Sequence, residues 1–214
     1  MGLLCCDLDN TLVDRAAAFR RWATAFAARH EQGEELVEWL VEIDGDGFGP
    51  RPDFYVLVRE RVGITVPVNE LVADYYRDFL PQYRADVDVP DALARARAAG
   101  WKIAIVTNGP ATQVDKIRHA GLDPLVDTWC VSELEGTRKP DAGLLRLAAE
   151  RAAVPLAAAW MIGDDPEADI GAAQAAGIRS VWLRRGRTWA LPELTPTFEA
   201  ATFGEAVDLV LRAE

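Results

Sequence analysis

Apolar and polar positions along the 214 residues follow two different rhythms. From Trp101 onward, short apolar runs alternate with stretches at helical spacing. Lys102 to Thr107 is one such run and ends in Thr-Asn-Gly-Pro. A helical pattern follows to Ala120 and closes at Gly121. Val126 to Ser132 is a second run, and Lys139-Pro140 opens a helix through about Ala152. Ala159 to Ile162 leads into Gly-Asp-Asp-Pro, a helix from about Glu167 ends at Gly177, and Ile178 to Leu183 forms a further strand. Leu3 to Asp7 fits the same sheet as its opening strand. Strands spaced by helices of this length predict an α/β fold, a doubly wound parallel sheet with helices on both faces. The stretch from Arg184 to Glu214 reads as a loop and a final helix on Phe203, Ala206, Val207, Leu209, Val210 and Leu211.

Residues from about Asp14 to Arg84 behave otherwise. Their apolar positions recur at helical spacing: Phe19, Trp22, Phe26; Leu36, Trp39, Leu40, Ile43; Phe54, Leu57, Val58; Leu71, Tyr75, Tyr76, Phe79. Breaks fall at Gly33, at Asp44 to Pro50 and at Gly63 to Pro67. The pattern predicts an all-helical insertion of about four helices over 14–85, set into an α/β body formed by 1–13 and 86–214. Asp91 to Ala99, closed by Gly100, returns the chain to the sheet. The Asp44-Gly45-Asp46-Gly47 stretch hints at a calcium loop, but lacks the later acceptors and closing Glu of an EF-hand, and reads as a helix–helix turn.

Composition narrows the function. A net charge of −11 argues against a general nucleic-acid or anionic-membrane binder, because both need basic surface. No run approaches the roughly 20 apolar residues of a membrane span, and the amino terminus does not read as a secretory signal. Cys5, Cys6 and Cys130 lie in apolar runs and suit neither a disulfide framework nor a zinc site, so buried thiols in the cytoplasm are expected. Positive charge for any anionic substrate must then be supplied locally.

The first strand ends in Asp7-Leu8-Asp9-Asn10-Thr11. In an extended segment residues two apart point the same way, so Asp7 and Asp9 can share a site at the carboxyl edge of the sheet. Taken alone, Asp9 or Asn10 is equally a cap for the following helix. Three more strand ends carry compatible groups: Thr107-Asn108-Gly109, then Lys139 before Pro140, then Gly163-Asp164-Asp165 with Asp169 following. Each has a plainer role available, as helix cap, solvated charge or helix-dipole partner. The chain has three lysines against twenty arginines, so Lys139 in a loop is less easily dismissed as surface. Four strand ends together supply the parts of one phosphoryl-transfer site.

These residues resemble the haloacid dehalogenase-like hydrolase superfamily. Its phosphatases carry Asp-x-Asp-x-Thr, a strand ending in Thr or Ser, a Lys before a helix, and Gly-Asp-x-x-x-x-Asp, in the order found here. The resemblance spans almost the whole chain and implies a Rossmann-like core with a small helical cap inserted between the first and second motifs. It implies Mg²⁺ held by Asp7, the Asp9 carbonyl and Asp164, with Asp169 and Asp165 in support. It further implies Asp7 as nucleophile, Asp9 as proton donor and acceptor, and Lys139, Thr107 and Asn108 binding the phosphoryl oxygens. Asn10 stands where many members have a small residue, and Asn tolerates unusual backbone angles. The cap is expected to read the leaving group, with Arg20, Arg21, Trp22, Phe48, Arg51 and Tyr55 as candidate contacts, although such aromatics are more often core and such arginines solvated.

The expected substrate is a small phosphorylated metabolite such as a sugar phosphate, phosphoglycolate or a nucleoside monophosphate, and the expected assembly a monomer or homodimer. A 2-haloacid dehalogenase and a phosphomutase of the same fold are the enzyme alternatives. Halide departure needs no proton, so Asp9 favours phosphate. A non-enzymatic receiver-like domain would place its Asp on a middle strand and lack the cap.

Overall fold

The computed structural model describes residues 2–47 and 51–214, with the side chains of Arg51 and Pro52 outside that set. The chain divides into two compact units, Met1–Val13 with Ala85–Glu214, and Asp14–Arg84.

The first unit is built on six parallel strands: β1 (Leu3–Cys6), β2 (Lys102–Thr107), β3 (Thr128–Val131), β4 (Ala159–Gly163), β5 (Arg179–Leu183) and β6 (Phe198–Ala200). Their order is β3-β2-β1-β4-β5-β6. Strand order therefore reverses between β1 and β4, the position where open α/β sheets bind ligands. Both faces of the sheet are covered, which is why the strands read as continuous apolar runs and not as alternating ones. Leu3, Cys5, Ala104, Val106, Cys130 and Met161 pack on Leu144, Leu145 and Ala148 of α8 (Gly143–Ala152). The helices α5 (Val89–Ala98) and α10 (Phe203–Ala213) pack on one another, on β2, and on β4 and β5. Shorter connections complete the wrap: α6 (Gln113–His119), α7 (Ser132–Glu135) and α9 (Gly171–Ala176). All three cysteines are free and buried, and burial raises their thiol pKa, so they act as small apolar groups.

Two features depart from the sequence pattern. The tail is not only loop and helix, since Phe198–Ala200 adds β6 to the sheet edge beside β5. The helix expected to open at Pro140 begins at Gly143.

The second unit holds α1 (Arg15–Arg29), α2 (Glu34–Asp44), α3 (Arg51–Val62) and α4 (Val68–Phe79). Asp14 starts α1 by accepting from the Ala17 N–H. Phe19, Trp22, Phe26, Phe54, Tyr75 and Phe79 meet in one cluster, Trp22 and Tyr75 edge to face at 4.7 Å. Each such pair adds about 0.5–1.5 kcal/mol beyond the area it buries. Both Asp44 oxygens accept from the Arg15 guanidinium, at 2.7 and 2.9 Å, in a buried fork. Truncating either partner would strand a buried charge at a cost of roughly 3–5 kcal/mol.

Candidate active site

Because every strand of the sheet runs the same way, the carboxyl ends of β1, β2 and β4 open on one edge. Asp7 follows β1, and its N–H extends the ladder to the Ile162 carbonyl at 2.9 Å. Thr107 closes β2, and Asp164 follows β4. The chain then makes a π turn over Pro166–Ile170, capped by Asp165, whose Oδ1 accepts from the Glu167 and Ala168 N–H groups. Such wide turns recur at functional sites. This one buries Asp169 completely, with Oδ2 accepting from the Asp165 N–H at 2.9 Å.

Lys139 reaches the same point from the loop before α8. The Asn108 amide brackets its backbone, donating to the Lys139 carbonyl and accepting from the Lys139 N–H, both at 2.9 Å. The Lys139–Pro140 peptide is cis. Lys139 Nζ donates to Asp7 Oδ1 and Asp169 Oδ1, both at 2.6 Å, and to the Val106 carbonyl at 2.7 Å. Its three protons thus have three acceptors, and the ammonium is 1% exposed.

Asp7, Asp164 and Asp169 each present a carboxylate oxygen within 4.8 Å of the other two, and all three residues are buried. One buried ammonium faces three carboxylates. Burial pushes Asp7 well above the usual carboxylate range, Lys139 opposing and the two other acids reinforcing the shift. Asp164 rises to about 7, first from burial and then from Asp169, although Arg187 and Arg185 restrain it. Asp169 also rises through burial against the pull of Lys139. Burial opposes the Lys139 charge, but Asp169 and Asp7 outweigh it and hold its pKa above the ordinary lysine value. With Lys139, Arg185 and Arg187 as its cations, the cluster still holds its carboxyls above their ordinary range. A hard divalent cation of the magnesium, calcium or manganese kind fits this all-oxygen donor set.

Asp9 stands apart from that cluster. Its Oδ2 accepts from Lys116 Nζ at 2.9 Å and from Gln113 Nε2 at 3.0 Å. The same Gln113 amide donates to Thr107 Oγ1 at 2.8 Å. Asn10 takes φ 63°, the left-handed geometry that asparagine tolerates.

The sequence reading passed over Gln113, Lys116, Arg185 and Arg187. Arg187 donates to the Asp164 carbonyl at 2.6 Å and to its Oδ2 at 3.0 Å. Lys116 carried a usable signal, being one of three lysines and three residues from Gln113, hence on the same helical face. The side chain of Asn108 also has a role that was missed, the bracket on Lys139. Of the candidate contacts in the helical unit, Trp22 and Tyr55 are buried in its aromatic cluster. Arg20 is held by Glu38 and Glu34, and Arg21 donates to the Gln82 carbonyl, so each is accounted for without a ligand. Phe48 and the Arg51 side chain lie outside the described residues. Among the described residues no helix is long and apolar enough to cross a membrane.

A family model for haloacid dehalogenase-like hydrolases matches residues 1–177. A phosphoserine phosphatase of Thermus thermophilus is 32% identical over 153 residues, covering 71% of this chain and 61% of that protein's length. A glyceraldehyde 3-phosphate phosphatase of Pyrococcus abyssi is 29% identical over 197 residues, covering 85% and 80% of the two chains. Among solved structures, a 2-haloacid dehalogenase of Pseudomonas syringae superposes with a TM-score of 0.63 at 26% identity, covering 100% of both chains.

Proposed function

The chain belongs to the haloacid dehalogenase-like hydrolases, and from that premise we propose that it is a magnesium-dependent phosphatase of a small phosphorylated metabolite, working through an aspartyl phosphate on Asp7. One observation carries the reading. Buried Asp7, joined to Lys139 at 2.6 Å within the carboxylate cluster, lies two residues from an Asp9 whose carboxylate is directed elsewhere by its own partners. A nucleophile and a separate proton carrier are what phosphoester cleavage asks for.

Bound magnesium would supply the positive charge that lets a carboxylate approach an anionic ester. The Asp7 and Asp164 carboxylates and the Asp9 carbonyl are the groups assigned to hold it. Asp169 is already engaged through both oxygens, which suits a supporting role. Lys139 fixes the Asp7 carboxylate and neutralises the transferring phosphoryl group. Thr107, whose oxygen accepts from Gln113, turns its hydroxyl proton to a phosphoryl oxygen, and the Asn108 N–H donates to another. An Asp7 oxygen attacks phosphorus, the ester P–O bond breaks, and Asp9 hands a proton to the departing alkoxide. Asp9 then takes a proton from water, the water oxygen attacks phosphorus, and Asp7 is released with inorganic phosphate.

Two of the three proteins named above are phosphatases, of phosphoserine and of glyceraldehyde 3-phosphate, which supports a panel of those two esters with phosphoglycolate, sugar phosphates and nucleoside monophosphates. The test is phosphate release from that panel with Mg²⁺ and with EDTA, beside Asp7→Asn. Magnesium-dependent release that disappears in the variant is the expected result. Silence across the panel from folded protein would defeat the proposal, and full phosphate release by Asp9→Ala would remove the proton-transfer role from Asp9.

A further inference from the structure

We propose that Gln113 and Lys116 are positioning residues for proton transfer, holding the Asp9 carboxyl where it meets the leaving-group oxygen and coupling it to the Thr107 hydroxyl. The inference rests on the phosphatase reading and goes beyond it. Gln113 sits at the first turn of α6, is 1% exposed, and spends one amide nitrogen on two acceptors, Asp9 Oδ2 at 3.0 Å and Thr107 Oγ1 at 2.8 Å. Lys116, one turn on, donates to the same Asp9 oxygen at 2.9 Å, and its side chain is 13% exposed against 23% for Asp9. Two donors from one helix face therefore converge on one carboxylate oxygen from a different strand end.

The backbone is shaped around this contact. Gly109, at φ 157°, lies so close to Gln113 that a Cβ there would stand 2.7 Å from Gln113 Cγ. Ser132 fixes the same glycine, its Oγ accepting from the Gly109 N–H at 2.9 Å. A surface ion pair needs no such seat.

A carboxyl free to turn among rotamers would meet the leaving oxygen only part of the time, and misplacement by about 1 Å can cost on the order of 10²-fold in rate. Bond making between Asp7 and phosphorus does not itself require Asp9. Loss of the positioning contacts should accordingly tax only esters whose alkoxide needs a proton to leave.

The experiment uses the full chain saturated with magnesium. Wild type, Gln113→Ala, Lys116→Met and Lys116→Arg are assayed on the best alkyl phosphate of the panel and on p-nitrophenyl phosphate, whose phenolate departs without a proton. The readout is kcat/KM, which reports the step in which the leaving group departs. For Gln113→Ala and Lys116→Met we expect roughly 10- to 100-fold loss on the alkyl ester and under about threefold loss on the aryl ester. Lys116→Arg should recover most of the alkyl activity. Thermal melts exclude unfolding, and Lys116→Met, which keeps the side-chain stem, serves if Gln113→Ala is unstable. Equal loss on the two esters, or none on either, overturns the inference while leaving the phosphatase reading in place. A wild type that hydrolyses neither ester removes that reading and this inference with it.

Discussion

Asp164 carries the most direct pH signature of the molecule. Its carboxyl titrates at about 7 in the folded protein, against roughly 3.9 for an unperturbed aspartate. The folded state thus keeps a proton that the unfolded chain has released. This contribution to stability is fully present below about pH 4 and is lost as pH rises through about 7. At about 1.4 kcal/mol per pKa unit, the loss is at most on the order of 4 kcal/mol. Melting the metal-free protein beside Asp164→Asn at about pH 5 and pH 8 should show the wild type falling behind the variant at the higher pH. Magnesium should restore the wild type there and leave the variant little changed. A gap between the two proteins that ignores pH would sink the assignment. Asp7→Asn, by contrast, should melt near wild type and lose turnover by about 10³-fold or more, measured as phosphate release. At this scale the sequence was most readable where a residue follows a strand directly, as Asp7, Thr107 and Asp164 do. It was least readable for Gln113, Lys116 and Arg187, which reach the site from elements that periodicity can draw but not orient.

The turn after β4 shows how tightly an element can bind its sequence. A Cβ on Gly163 would stand 2.1 Å from Asp169 Oδ2, the oxygen that receives the Asp165 N–H. Gly163→Ala must therefore displace the π turn and, with it, the carboxylate that holds Lys139. We expect a loss of about 1–3 kcal/mol in a denaturant melt together with at least tenfold lower turnover. Wild-type behaviour in both assays would mean that the turn relaxes freely. The motif residues of this turn were legible, but the π turn was not, since apolar spacing does not register one extra residue within a single turn. The edge strand β6 escaped for a related reason: three residues, Phe198–Ala200, are too few to show a period, and only pairing with β5 defines them.

Across the whole molecule, every residue assigned to the chemistry belongs to the α/β unit, and the chain leaves and re-enters that unit at adjacent points. Val13 and Ala85 form an antiparallel bridge, and the Asp86 N–H donates to the Leu12 carbonyl at 3.0 Å. Replacing residues 14–84 by a short Gly/Ser linker should leave a cooperatively melting domain that still cleaves p-nitrophenyl phosphate with magnesium, with reduced preference among metabolite esters. A non-cooperative melt would show that the α/β unit depends on the helices for its stability. The change from strand-and-helix alternation to helix alone near Asp14 and Arg84 made this division readable, because the two periods differ. The scarcity of lysine has a practical consequence for attaching the protein to surfaces. Lys139 is 1% exposed and Lys116 13%, whereas Lys102 is 42% exposed. Lys102 opens β2, and Thr107 closes it about 16 Å away at the opposite edge of the sheet. The α-amino group aside, an amine-reactive resin should capture the protein through Lys102, at the end of β2 remote from Thr107.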